Sequence, residues 1–382
     1  MPDSPLPKTL DTLQQGVDAG LHLGAQLCVS RFGETVADVA VGQSRVGVPM
    51  TTDTAALWLS MGKPLTAILV GKCVDLGKLD IDAPVAGYLP QFAQGGKDKV
   101  TIAHVLTHTG GFRNVGSNWS TEAWPQLIDR IAAAPLEDGW IPGQIAGYHV
   151  SSGWFILADL CAKALDIDVP PEGPWAMYRE HLLKPLGMDG TWVGMPRRQW
   201  VDLGTDLALT YDTSKGAPKP LAFANSEQGS TLCRPGGNAR GPAGDLATFY
   251  NQLLCDRGDF PPHLACAGQR YLSEGTARAF TSRQRSGLPD KTFGDSPIDW
   301  SYGFLMRSEG TDTKSLRIPY GYGPHASADT FGHSGNQCSC AFADPQAGLV
   351  VVWATNGQPG ELGHQRRQRA INTAIYEDLG LA

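Results

Sequence analysis

No stretch of this sequence approaches the ~20 consecutive apolar residues needed to cross a bilayer as a helix. Its first residues, Met-Pro-Asp-Ser-Pro-Leu-Pro-Lys, lack the apolar core of a secretory signal. No helical membrane anchor is expected, and the cytoplasm is the expected location. Charge is sparse: 18% of residues are charged, the net charge is −7, and no basic run is long enough to hold nucleic acid or an anionic membrane. No Cys-x-x-Cys pair offers a zinc knuckle. Of the eight cysteines, Cys28, Cys73, Cys161, Cys255 and Cys338 lie among apolar neighbours, as buried free thiols do, and Cys338-Ser339-Cys340 reads as packing on a strand. Internal repeats and low-complexity segments are also lacking.

What is present is a chain of 382 residues, 42% hydrophobic, long enough to bury a large core divided between two lobes. A first helix is expected over 10–23, then two short strands, 24–31 and 34–41, joined by Phe32-Gly33. A further helix begins at Ser60. From about 84 to 229 the pattern is helical and loop-rich, with helices expected near 102–107, 123–134, 153–165 and 175–183, and another over 242–254. Near the end, 337–344 and 349–355 read as strands around the turn Pro345-Gln346-Ala347-Gly348, followed by a helix over 362–379. Strands at both ends of the chain and helices between them predict an α+β fold. Its antiparallel sheet, flanked by helices, is assembled from both termini (1–83 and 230–382), with a mostly helical domain (84–229) inserted and a cleft between the lobes. The Gly/Pro/Asp-rich tract 282–328 is expected to form loops bordering that cleft.

The chemistry starts at Ser60-Met61-Gly62-Lys63. Residues i and i+3 share a helix face, so Lys63 stands one turn above Ser60 and points back at it. A serine hydroxyl attacks only once its proton is taken, and a lysine can take it if desolvation and positive potential lower its pKa. The bland reading of such a tetrapeptide is a solvated helix start. A second candidate is Tyr148, on the tight loop Pro142-Gly143-Gln144-Ile145-Ala146-Gly147-Tyr148-His149, where a phenol beside an ammonium can relay protons. Its bland reading is a tyrosine with its ring in the core and its hydroxyl in water. A third is Gly332-His333-Ser334-Gly335-Asn336, leading into a strand. Glycine on an exposed edge strand permits close approach of a ligand, and the following N–H can serve an oxyanion hole.

These three pieces, in this order, resemble the serine β-lactamase and penicillin-binding-protein superfamily, most closely its class C-like branch with the family VIII carboxylesterases. The resemblance spans nearly the whole chain. It extends to Lys78-Leu79-Asp80-Ile81-Asp82, Leu106-Thr107-His108-Thr109-Gly110-Gly111, Lys184-Pro185-Leu186-Gly187-Met188, Pro235-Gly236-Gly237 and Phe342-Ala343-Asp344-Pro345. It implies Ser60 as the acylated nucleophile, Lys63 as its proton acceptor and Tyr148 as the second acid/base. It also implies an oxyanion hole from the backbone N–H groups of Ser60 and Asn336, and substrate contacts from His333, Ser334, Gly335 and His149. No metal or organic cofactor is implied.

Two departures bear on the substrate. Position 150 is Val where β-lactamases and peptidases carry an asparagine amide, and His333 stands where a permanently charged lysine is common. Both favour a carboxylesterase acting on small acyl esters over a β-lactamase or D-amino-acid peptidase. Three rivals stand beside this reading. Gly332-His333-Ser334-Gly335 nearly forms a Gly-x-Ser-x-Gly elbow, which would make Ser334 the nucleophile, but Asn336 breaks it. His104 and His108 have metal-ligand spacing, against a capping or core role. A catalytically silent binding protein is the non-enzymatic alternative. Oligomeric state and natural substrate are open.

Overall fold

The computed structural model describes residues 5–113, 115, 121–260, 269–308 and 321–382. At its centre is a seven-stranded antiparallel sheet in the order Leu305–Met306, Phe331–Gly335, Ser339–Asp344, Leu349–Thr355, Gly24–Arg31, Glu34–Arg45, Val48–Pro49. The two ends of the chain meet mid-sheet, where Ala25 to Arg31 pair with Thr355 to Leu349. The run Leu349-Val350-Val351-Val352-Trp353 is apolar at every position because the strand is buried on both faces. Alternate residues serve different cores: Val350, Val352 and Ala354 face one, and Leu349, Val351 and Trp353 face the other.

The helices Pro7–Asp18 and Glu361–Asp378 cover the second core, with Leu13, Ile371, Ile375 and Tyr376 turned inward. The first core is closed by Lys63–Asp75, Ala243–Asp256 and Ser152–Ala164. The expected α+β arrangement, a sheet from both termini with helices between, is what the chain forms. The Lys63–Asp75 helix is buried on nearly all sides and not along one stripe, since it is sandwiched between the sheet and the helical part.

Several boundaries differ for local reasons. The first helix starts at Pro7, which suits a first-turn position, and stops at Asp18 because Gly20 takes a left-handed φ of 69°. Ser60 does not open the α-helix. It sits in a 3₁₀ turn, Leu59–Gly62, and the helix begins at Lys63. Gly332 to Gly335 are strand residues, not an approach to one. That strand is fully buried, which corrects the expectation of exposure, but Leu305–Met306 pairs only with Gly332 and Phe331, so among the described residues His333 to Gly335 have a strand partner on one side only. Cys28, Cys73, Cys161 and Cys338 are buried free thiols, as are Cys233 and Cys340, whereas Cys255 is disulfide-bonded, correcting its reading as free. Of the tract 282–328, residues 309–320 lie outside the described residues. Among the described residues no helix is long and apolar enough to cross a membrane.

Candidate active site

The Ser60 turn is held against the sheet by backbone contacts that tolerate no side chain. A Cβ on Gly335 would lie 2.1 Å from Trp58 O, so only glycine lets the Phe331–Gly335 strand meet the turn. Ser339 Oγ donates to the same carbonyl at 2.7 Å, and Trp58 N donates to Ala239 O at 2.9 Å on the opposite flank. Leu59 has φ of 51°, a left-handed conformation that a leucine adopts only when its surroundings impose it. His108 (60°) and Gln337 (54°) are in the same region beside Tyr148 and Asn336. Of these three, Leu59 lines the cavity itself, and the other two adjoin residues that line it.

Lys63 is fully buried, and its Nζ donates to Ser60 Oγ at 2.9 Å and to Gly236 O. Aromatic rings enclose it: Nζ lies 5.3 Å from the Tyr148 ring centroid and 5.7 Å from that of Trp154. No carboxylate pairs with it among the described residues, so burial pushes its pKa well below the ordinary lysine value. Gly236 is required by this approach, because a Cβ there would meet Val150 O at 2.9 Å and Lys63 Nζ at 3.3 Å. A neutral amine at hydrogen-bond distance from a half-exposed hydroxyl can take that hydroxyl's proton.

Tyr148 is clamped from behind. Its N–H donates to Asp290 Oδ1 at 3.0 Å, and its carbonyl accepts from Thr292 Oγ1 at 3.1 Å. Asp290 is wholly buried and paired with Arg285 at 2.8 Å, and Arg285 Nη1 also donates to Thr107 O. The Tyr148 ring stacks on Trp300 with centroids 5.7 Å apart. Ser60, Tyr148, Ser334 and Asn336 open onto one cavity of about 370 Å³, walled also by Val150 and Phe293. Val150 presents a 56%-exposed apolar side chain with no hydrogen-bonding group. Of the tract 282–328, Thr292 and Phe293 line this cavity.

The structure does not bring every expected residue to this cavity. His149 is fully buried behind the loop, its Nδ1 bonded to Gly147 O at 2.8 Å and its Nε2 accepting from Phe112 N at 3.3 Å. His333 lies beneath the cavity, 3% exposed, with Nδ1 bonded to Ser334 O at 2.8 Å and Nε2 buried without a hydrogen-bond partner. A carbonyl only accepts, so both rings are Nδ1–H tautomers. Burial foremost, with Lys63 nearby, lowers the His333 pKa to about 3, and burial lowers that of His149 to about 3. Neither is a cation at neutral pH. Ser334 lies in mid-strand, not at a strand-to-helix corner, and its Oγ accepts from Gln368 Nε2 at 3.3 Å. His104 and His108 diverge: His104 completes a capping box with Thr101, and His108 is core, accepting from His149 N at 3.1 Å. The sequence reading missed the Gly236 carbonyl and the Arg285–Asp290 clamp. Pro235-Gly236-Gly237 was a visible signal for the first, and nothing local announces the second.

The fold and this arrangement are those of a serine hydrolase. A family model described as Beta-lactamase matches residues 11–375, and the chain belongs to that family. It is similar to Esterase EstB of Burkholderia gladioli, 28% identical over 393 residues that cover 93% of this chain and 91% of that protein. Esterase/beta-lactamase LipL of Mycobacterium tuberculosis is 24% identical over 356 residues, covering 87% and 77%. Among solved structures, a family VIII carboxylesterase shares the fold with a TM-score of 0.80 at 24% identity, covering 98% of this chain and 97% of that one.

Proposed function

We propose that the chain is a carboxylesterase that cleaves small acyl esters through an acyl-enzyme on Ser60. The observation that carries this reading is the Lys63 amine, fully buried and 2.9 Å from Ser60 Oγ with no carboxylate partner among the described residues. Ser60 Oγ attacks the ester carbonyl while its proton passes to Lys63 Nζ. The oxyanion is met by the backbone N–H groups of Ser60 and Asn336. Tyr148 protonates the departing alkoxide and then draws a proton from the water that attacks the acyl carbon, and Lys63 returns its proton to Ser60 Oγ as the acid is released.

An ester is favoured over a β-lactam or a peptide by two features of the wall. Val150 offers neither donor nor acceptor to an acylamino side chain, and His333, neutral and off the cavity, supplies no cation for a substrate carboxylate. The similarity to Esterase EstB supports the same class, whereas LipL is named both esterase and beta-lactamase and so does not separate the two. The test is labelling with a fluorophosphonate together with turnover of p-nitrophenyl butyrate and nitrocefin. Label on Ser60, a burst on the ester, a loss of roughly 10³-fold or more in Ser60→Ala and only a small loss in Ser334→Ala are expected. Reversal of the two serine effects overturns the assignment, and nitrocefin turnover matching the best ester overturns the substrate class.

A further inference from the structure

A second cavity, of about 290 Å³, shares no lining residue with the one beside Ser60. Two arginines face it, Arg45 and Arg240, with Trp200, Leu207 and Ser230 among its other walls. Arg240 is 2% exposed, on the short strand Ala239–Gly241 that also backs the Ser60 turn. Of its five N–H donors, one Nη2 hydrogen is used, on Ala224 O, and Nε is buried without a partner. Arg45 donates through Nη2 to Gly204 O at 2.8 Å and to Leu207 O, and its Nε is likewise buried and unpartnered.

No carboxylate pairs with either guanidinium among the described residues. The Cys338 thiol acts on Arg240, but burial pushes it up to about 11, so it stays neutral and offsets no charge. A buried guanidinium with one hydrogen bond and no counter-charge is costly, and buried cations are ordinarily paired. The complement to such a pair is an anion with two coplanar acceptors. The remaining wall is largely apolar (Trp200, Val201, Leu207, Leu209), which gives the anion an apolar body.

We propose that this cavity is a binding site for a small carboxylate with an apolar body, its carboxylate held between Arg240 and Arg45 and its body against Trp200 and Leu207. The site is distinct from the reacting centre and does not depend on which ester is cleaved there.

The test uses three probes on the intact protein: sodium hexanoate, 1-hexanol as the same body without charge, and inorganic phosphate as charge without the body. Calorimetry should show saturable hexanoate binding to wild type, weakened at least about tenfold in Arg240→Met and in Arg45→Met, as when one partner of a buried charge pair is removed. Hexanol binding as tightly as hexanoate, phosphate binding in its place, or hexanoate binding that survives both arginine changes overturns the proposal. Should Arg240→Met fail to fold, a crystal of the wild type soaked with 2-bromohexanoate decides the matter. Anomalous density beside Trp200 with the carboxylate between the two guanidinium groups is expected. Density only beside Ser60, or ordered water alone between the arginines, overturns it.

Discussion

Acid should unfold this protein well before its carboxylates are protonated in the unfolded chain. His22, His149 and His333 are all buried, and burial, the largest cause in each, lowers their pKa values to about 3; His108 and His364 are also lowered well below the ordinary value. Each folded pKa lies below its unfolded value of about 6.5. The unfolded chain therefore binds protons that the folded chain refuses. The stability from keeping each ring neutral is complete above pH ~6.5 and is lost as pH falls toward about 3. At pH 5.5, one such histidine costs about 1.4 kcal/mol relative to pH 8, and His22, His149 and His333 together cost about 4 kcal/mol. His108 and His364 add to this in the same sense. Set against the roughly 5–15 kcal/mol typical of a folded domain, that is a large fraction. Asp38, Asp159, Asp245 and Asp256 are raised by burial and act in the opposite sense at lower pH, so the measurement belongs between about pH 5.5 and 8. Urea unfolding across that range should report an uptake of about three protons or more on unfolding near pH 5.5. An uptake below about one proton would mean that these rings are charged in the folded state, and the neutral Nδ1–H assignment of His333 would fall with it.

The remaining expectations concern the site. Tyr148→Phe should fold and slow ester turnover by about 10²–10⁴-fold, read by steady-state kinetics with circular dichroism as the folding control; near-wild-type turnover removes the phenol from the mechanism. Lys63→Arg keeps a cation that cannot give up its proton, so its kcat should fall nearly as far as that of Lys63→Ala. Gly236→Ala adds a Cβ 3.3 Å from Lys63 Nζ and 2.9 Å from Val150 O, and displacing the amine should lower kcat by about 10²-fold. Asp290→Ala leaves Arg285 buried without its partner, so it should lose about 3–5 kcal/mol in chemical denaturation. It should also lower turnover by freeing the Tyr148 loop, whereas unchanged turnover in folded protein would show that the clamp is structural only.

The parts of this molecule that were legible in its sequence are those whose geometry is local. Ser60 and Lys63 meet because three residues of helical backbone bring them together, whether the first turn is α or 3₁₀. The strand Leu349–Thr355 is announced by five consecutive apolar residues, and the two-residue alternation assigns each to a core. Boundaries slipped where one residue's φ decides them, as at Gly20, or where tertiary contact replaces a stripe with all-round burial, as along Lys63–Asp75. Cys255 shows the same limit, since neighbours along the chain say that a thiol is buried but not that another sulfur has reached it.

The pKa of Lys63 is the hardest property to read from residues alone, because Ser-x-x-Lys places the amine but does not desolvate it. Desolvation comes from burial by parts of the chain far from the motif, the rings of Tyr148 and Trp154 among them, while the Gly236 carbonyl, 173 positions away, holds the amine in place by accepting from it. Tyr148 is in turn held by Asp290, 142 positions further on, itself neutralised by Arg285. That arrangement explains why the carboxylate nearest Tyr148 in this network leaves Lys63 alone: its charge is spent on Arg285 and on backbone N–H groups of Tyr148 and Thr292. It also explains the two histidines. A charged ring at 333 would be a cation buried without a counter-charge beside the Lys63 amine, and a charged ring at 149 could not accept from Phe112 N, so the same burial that lowers the Lys63 pKa keeps both rings neutral. A lysine at position 333 would meet that same burial without a partner, and its pKa would be lowered as that of Lys63 is, so neither residue type would keep a fixed cation there.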